Sequence, residues 1–237
     1  MNLVLLFSHD FIDETPRVRL SGRRLDHIRD VHRACPGDTL SVGLENGLMG
    51  RGTIVAIDRN SLDMDVILDT PPPPGLDLNL IVALPRPKVL NRVLVAAASL
   101  GVKRLWLIQA FRVEKSYWKS PRLSTENIRQ QCILGLEQAK DTRMPEVYIR
   151  KGFKPFVEDE LPGIIQGTLA CVAHPGSDRP CPRTIDGAFT LIIGPEGGFI
   201  PYEIEKLGAC GVQPVQLGHR ILRVETVIPF LMGRLFE

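Results

Sequence analysis

No CxxC pair occurs in the chain. Its five cysteines (Cys35, Cys132, Cys171, Cys181 and Cys210) are odd in number and widely spaced. That argues against a zinc site and a disulfide framework, and predicts reduced, mostly buried thiols in a cytosolic protein. Neither GxGxxG nor Gly-Lys-Ser/Thr is present, which removes the usual dinucleotide and triphosphate readings of a glycine loop. Long apolar runs are missing too: residues 227–232 are far too few to span a bilayer. The apolar residues 2–7 run into His9 and Asp10 with no cleavage site, so no signal peptide is read there. The expectation is a soluble, cytoplasmic protein with no membrane partner and no metal. A large charge excess is also lacking. The net charge of +2 is too small to announce a nucleic-acid binder, but local patches matter more than totals, and Arg17, Arg19, Arg23, Arg24, Arg29 and Arg33 crowd one early stretch.

What is present is an ordinary globular composition, 44% hydrophobic and 24% charged over 237 residues, enough for one large domain or two modest ones. Pro71-Pro72-Pro73-Pro74-Gly75 is the clearest punctuation. Four prolines lack amide donors and favour an extended segment that neither helix nor sheet crosses. Before it, Leu62, Met64, Val66 and Leu68 recur at the period of a half-buried strand, and turn residues separate strands at 39–44 and 49–57. Leu25, Ile28 and Val31 predict one helix over 21–31. A small β-barrel over 1–70, a proline-rich linker at 71–77 and a second domain over 78–237 follow. In the second domain the spacing predicts strands at 78–84, 104–108, 147–149, 168–172 and 189–193, with helices at 89–100, 124–140 and from Pro201. Strands alternating with helices imply an α/β fold with a mostly parallel sheet. Residues 175–182 read as a loop between two strands.

Two stretches carry the most information. Leu191-Ile192-Ile193-Gly194-Pro195-Glu196-Gly197-Gly198-Phe199 is a buried-strand pattern ending in a glycine loop. Leu217-Gly218-His219-Arg220-Ile221-Leu222-Arg223-Val224-Glu225-Thr226 is a second loop shortly after. Glycines let a ligand approach backbone closely, and open α/β sheets bind ligands at the carboxyl ends of their strands.

Together the two loops resemble the C-terminal signature of the 16S ribosomal RNA uridine-N3 methyltransferases (small-subunit methyltransferase E), of the SPOUT class. Weaker matches follow in the same order: His27-Ile28, Gly37-Asp38, Leu100-Gly101-Val102, Glu137-Gln138, Pro145-Glu146 and His174-Pro175. The resemblance implies a PUA-like N-terminal β-barrel that helps hold RNA, and a trefoil-knotted α/β domain that binds S-adenosylmethionine. It also implies a homodimer that acts on 16S rRNA of the small ribosomal subunit. Carried over residue by residue, the cofactor set is His174, Ile193, Gly194, Pro195, Glu196, Gly197, Gly198, Leu217, Gly218, Ile221, Leu222 and Thr226. The chain departs from the family at Ser99, where Glu is usual, at Asp141, where Arg is usual, at Val227 for Ala, and in the apolar residues 3–6. Pro229 is expected to interrupt the closing helix, tolerated if it falls in the first turn. Such changes leave open an RNA-binding or ribosome-assembly protein of the same fold without catalysis, or a methyltransferase for another RNA base.

Methylating uridine N3 requires loss of the imide proton or stabilisation of the resulting anion. Arg223 and Glu225 lie two apart, so an extended segment would point both to one side. Arg223 is then assigned to developing charge or a phosphate, and Glu225 to accepting the proton or orienting Arg223; a salt bridge fixing the loop is the plainer alternative. Glu196 has two readings, a bond to the cofactor or satisfaction of backbone donors. The expected phosphate-contacting residues are Arg17, Arg19, Arg23, Arg24 and Arg33, with Arg86, Lys88, Arg92 and Arg220. Trp118, in the basic and aromatic tract 112–119, is read either as a base-stacking residue or as packing onto the core.

Overall fold

A computed structural model describes residues 1–12 and 15–236; residues 13, 14 and 237, within the segments 1–70 and 78–237 above, lie outside the described residues. The chain divides into two compact units, Met1–Pro74 with Ile133–Met144, and Gly75–Cys132 with Pro145–Glu237.

The first unit is built on β1 (Val4–Leu6), β2 (Arg17–Leu20), helix α1 (Gly22–His27), β3 (Thr39–Leu44), β4 (Met49–Ile57) and β5 (Leu62–Thr70). These strands form a mixed sheet in the order β1-β3-β4-β5-β2, with β1 parallel to β3 and the other pairs antiparallel. Alternation decides the faces. Leu62, Met64 and Val66 of β5 turn inward, against Val18 and Leu20 of β2 and Ile54 of β4. Asp63 and Asp65 turn outward, and the register sets them opposite Arg19 and Arg17. Register shifts in the β4–β5 pair, one of them between Met49 and Gly50, curl the sheet. Gly50 is required there, because a Cβ would lie 1.8 Å from the carbonyl oxygen of Ile67. Two buried carboxylates tie the unit further. Asp10 takes a bidentate pair from Arg24 at 2.6 and 2.7 Å, and Glu137 accepts from Arg23 at 3.0 and 2.8 Å and from the Leu5 amide. Burial raises the Glu137 carboxyl above the ordinary carboxylate range, and Arg23 opposes that shift.

The helix expected over 21–31 is shorter. After α1 the chain adopts a π turn at Ile28–His32, which adds a residue to the turn and breaks the 3.6-residue register. Leu25 and Ile28 are buried, but Val31 is 65% exposed.

The second unit carries β6 (Leu78–Ala83), α2 (Pro87–Ser99), β7 (Arg104–Ile108), the part of α3 (Thr125–Ala139) up to Cys132, and β8 (Glu146–Arg150). Short helical turns α4 (Phe153–Pro155) and α5 (Leu161–Ile165) follow, then β9 (Leu169–Ala173), β10 (Phe189–Ile193), α6 (Pro201–Ala209), β11 (Gln213–Val215) and α7 (Val224–Leu235). All six strands are parallel, in the order β11-β9-β10-β6-β7-β8. The two central strands, β6 and β10, are buried along their whole length, as a parallel sheet covered on both faces requires. The strands and helices expected here stand within a few residues of their predicted bounds. Pro229 is a correction: it lies inside α7, beyond the first turn, and the helix runs through it. Its ring is exposed, and the missing amide removes one bond from that helix. Cys132, Cys171 and Cys181 are buried, whereas Cys35 is exposed; burial pushes the Cys132 and Cys171 thiols up to about 11.

Candidate functional site

Strands β11, β9 and β10 are neighbours and run parallel, so their carboxyl ends open on one edge of the sheet. The loops that leave those ends enclose a cavity of ≈ 320 Å³, within the range of small-molecule sites. From β9 come His174, Pro175 and Gly176; from β10 come residues 193–199; from β11 come Leu217, Gly218, Arg220, Ile221 and Leu222. Val224 and Val227 of α7 and Arg112 after β7 complete the wall. The cavity lies at the carboxyl ends of an α/β sheet, where such sheets place ligands.

The glycines answer to local geometry. After β10 the chain turns tightly, with the Gly198 amide donating to the Pro195 carbonyl at 2.7 Å and Gly198 at φ +73°. A side chain at Gly197 would meet Arg112 Cδ at 2.9 Å. The Arg112 guanidinium in turn donates to the Gly197 carbonyl, joining the β7 and β10 loops. After β11, Gly218 has φ +116° and its amide donates to the side chain of Gln216. Glu203, on α6 and almost wholly buried, accepts from the amides of Ile200 at 2.9 Å and Phe111 at 2.7 Å. One carboxylate therefore caps α6 and pins the β7 loop.

The structure brings His174, Ile193, Gly194, Pro195, Glu196, Gly197, Gly198, Leu217, Gly218, Ile221 and Leu222 to the cavity wall. Thr226 is exposed on α7 and is not part of that wall. Arg112, Phe199, Val224 and Val227, absent from the sequence-based set, are. Glu196 accepts a bond from the Arg86 amide at 3.0 Å, at the start of α2; this is the backbone-satisfying arrangement of the two readings given above. The extended segment imagined for Arg223 and Glu225 does not exist. Arg223 is extended but caps α7, and Glu225 lies in the first helical turn, so the two do not share a strand face. Glu225 instead pairs with Arg92 of α2 at 3.6 Å. Trp118 is half-buried and donates its indole N–H to Gln109.

The expected phosphate contacts fall into two groups. In the first unit Arg17 and Arg19 hold Asp65 and Asp63 in bidentate pairs, Arg23 holds Glu137 and Arg24 holds Asp10. These guanidiniums depress the Asp63 and Asp65 carboxyls below the ordinary range. Arg33, Arg86, Lys88 and Arg220 are exposed, and no carboxylate pairs with them among the described residues. Nor, among those residues, does any cluster of three or more His, Cys, Asp or Glu that could hold a metal ion occur, and no helix is long and apolar enough to cross a membrane.

Comparison with known proteins follows the same outline. The chain is 25% identical over 231 residues to the ribosomal RNA small subunit methyltransferase E of Treponema pallidum, covering 95% of this chain and 87% of that protein. It is 24% identical over 241 residues to the protein of the same name from Mycobacterium tuberculosis, covering 98% and 90%. Among solved structures, it shares the fold of a ribosomal RNA small subunit methyltransferase E from Neisseria gonorrhoeae bound to S-adenosyl methionine. That match has a TM-score of 0.74 at 20% identity, over 98% of this chain and 95% of the other. A probable rRNA-methyltransferase from Porphyromonas gingivalis gives the same TM-score at 22% identity, over 97% and 95%. A family model described as an RNA methyltransferase domain matches residues 72–235, and the chain belongs to that family.

Proposed function

We propose that this chain is an S-adenosylmethionine-dependent methyltransferase that modifies N3 of a uridine in 16S rRNA of the small ribosomal subunit. The observation that carries the reading is the convergence of both glycine loops on one cavity at the sheet edge. The residues there suit the methyl donor. Ile193, Phe199, Leu217, Leu222, Val224 and Val227 offer apolar walls for a purine ring. Gly198 has nothing within 4 Å of where a Cβ would stand, which leaves its backbone open to close approach, as a cofactor held by main-chain groups needs. When bound, S-adenosylmethionine supplies an electrophilic sulfonium methyl.

The chain's own residues handle the target base. Neutral uridine N3 is a poor nucleophile, so the proton must leave or the anion over O2 and O4 must be stabilised. Arg223, exposed at the mouth of α7, is assigned to that negative charge or to a flanking phosphate. Glu225, in the first turn of α7 beside Arg92, is assigned to the proton. A guanidinium cannot serve as the base. Arg33, Arg86, Lys88, Arg92 and Arg220 are assigned to phosphates. The first unit is read as a PUA-like barrel that helps hold RNA, the second as a trefoil-knotted domain, and the active species as a cytoplasmic homodimer. The mixed, curled sheet and the all-parallel sheet support the two domain readings.

Titration calorimetry with S-adenosylmethionine and mass spectrometry of rRNA from a deletion strain test the proposal together. Micromolar binding and loss of N3-methyluridine on deletion are expected. A chain that binds no S-adenosylmethionine would falsify the methyltransferase reading, and unchanged rRNA modification would remove the N3 assignment.

A further inference from the structure

We infer that Phe111 is the stacking platform on which this protein receives its target nucleobase. The inference rests on the RNA methyltransferase reading and adds a residue to it. Phe111 is 75% exposed, although it sits in a well-anchored loop. Its neighbours on both sides are fixed: Ala110 is fully buried, and Arg112 lines the cavity and bonds the Gly197 carbonyl. Its own amide is held at 2.7 Å by Glu203, which is almost wholly buried and also caps α6. The backbone at Phe111 is therefore pinned while its ring stands in solvent, one residue along the chain from Arg112 of the cavity wall.

The other aromatic groups of this loop are engaged. Trp118 donates to Gln109 and Tyr117 donates to Glu114. Among the described residues the Phe111 ring has no aromatic or cationic partner. A base methylated on its Watson–Crick edge must be unstacked from the RNA, and an unstacked base is held by an aromatic face. An exposed ring on a rigid mount, one residue from the cavity wall, suits a pyrimidine, whose flat face needs support while its N3 edge stays open. Arg112, next in the chain, ties that mount to the β10 loop.

The test compares wild type with Phe111→Ala, Phe111→Leu, Phe111→Tyr and Phe111→Trp, using unmodified small-subunit rRNA and saturating S-adenosylmethionine. Phe111→Ala should raise KM for RNA by roughly tenfold, the scale of one lost base stack, while kcat and the Kd for S-adenosylmethionine stay within about twofold. Tyr and Trp should restore KM, and Leu should not. The Phe111→Trp protein should also show fluorescence quenching on adding a short oligouridylate, beyond that of wild type with its Trp106 and Trp118. An unchanged KM in Phe111→Ala overturns the inference. So does full rescue by Leu, which would mean plain apolar packing, or a change of oligomeric state on sedimentation, which would mean that a second copy covers the ring. The quenching measurement needs no methyl transfer, so it separates failure of this inference from failure of the activity itself.

Discussion

The basic residues expected to contact phosphate are held differently in the two units, although among the described residues Arg33 of the first is exposed without a carboxylate and Arg104 and Arg150 of the second hold Asp77 and Glu160. In the first, Arg17, Arg19, Arg23 and Arg24 each hold a carboxylate of the same unit. In the second, Arg86, Lys88, Arg220 and Arg223 stand exposed without such a partner among the described residues, and Arg92 has only a long pair to Glu225. Crowding of arginines along the chain therefore says little about where an anion binds. What counts is whether a carboxylate sits opposite, and in β2 the register with β5 supplies one at every outward position. Arg17, Arg19, Arg23 and Arg24 are structural staples in their geometry, whereas Arg220 lines the glycine-loop cavity and Arg223 stands between the wall residues Leu222 and Val224.

That contrast can be broken experimentally. The largest effect is expected at Glu225. Glu225→Gln should lower kcat by about 10²–10⁴-fold, as loss of a general base does, with cofactor affinity kept. Arg223→Ala should likewise slow turnover, and full activity in either variant would remove the catalytic assignment. Next comes the buried pair of the first unit. Arg24→Ala leaves Asp10 uncompensated and should cost about 3–5 kcal/mol of stability, read as a shifted urea midpoint. A neutral result would mean that water reaches Asp10.

Arg92→Ala sharpens the comparison from the other side. Exposed pairs contribute at most about 1 kcal/mol, so its melting temperature should barely move while kcat/KM for RNA falls by roughly tenfold. Equal losses of fold and activity would put Arg92 among the staples. Glu137 predicts a pH dependence. Its folded pKa is raised, so the folded state binds the proton more tightly than the unfolded chain. Its contribution to stability is complete below the ordinary glutamate range and is lost as pH rises through the raised value. Glu137→Gln should flatten that part of the stability curve, and parallel curves for the two proteins would contradict the assignment. Smallest of all, Asp63→Asn with Asp65→Asn should free Arg17 and Arg19. RNA affinity should then rise and its salt dependence steepen by at most about two counterions' worth; an unchanged salt slope would mean that this face never meets RNA.

How much of this was legible in the sequence differs residue by residue. β5 was readable because Leu62, Met64 and Val66 alternate cleanly with aspartates, and β10 because its apolar run ends in glycines. β2 was hidden, although Val18 and Leu20 do alternate inward, because Arg17 and Arg19 read as part of a charged patch. The end of the first helix was lost to a π turn, which no 3.6-residue spacing encodes. β11 has three residues and contains Pro214, too short for any period to show. Both glycine loops announced the cavity, whereas Arg112 and the pairing of Arg92 with Glu225 depend on chain segments far apart in sequence. Only folding brings those together.

The cavity spans the sheet unevenly. One wall follows β10, a central strand buried from end to end, and the other follows β11, a three-residue strand at the sheet edge beside β9. Opening free energies grade from the interior of a sheet to its margin. Amides of residues 189–193 should therefore exchange with deuterium slowly whether or not ligand is present, while those of 213–223 should exchange quickly in the free protein and slow on binding. A molecule in this cavity would then act as a fastener, carrying the protection of the interior out to the last strand and on into α7.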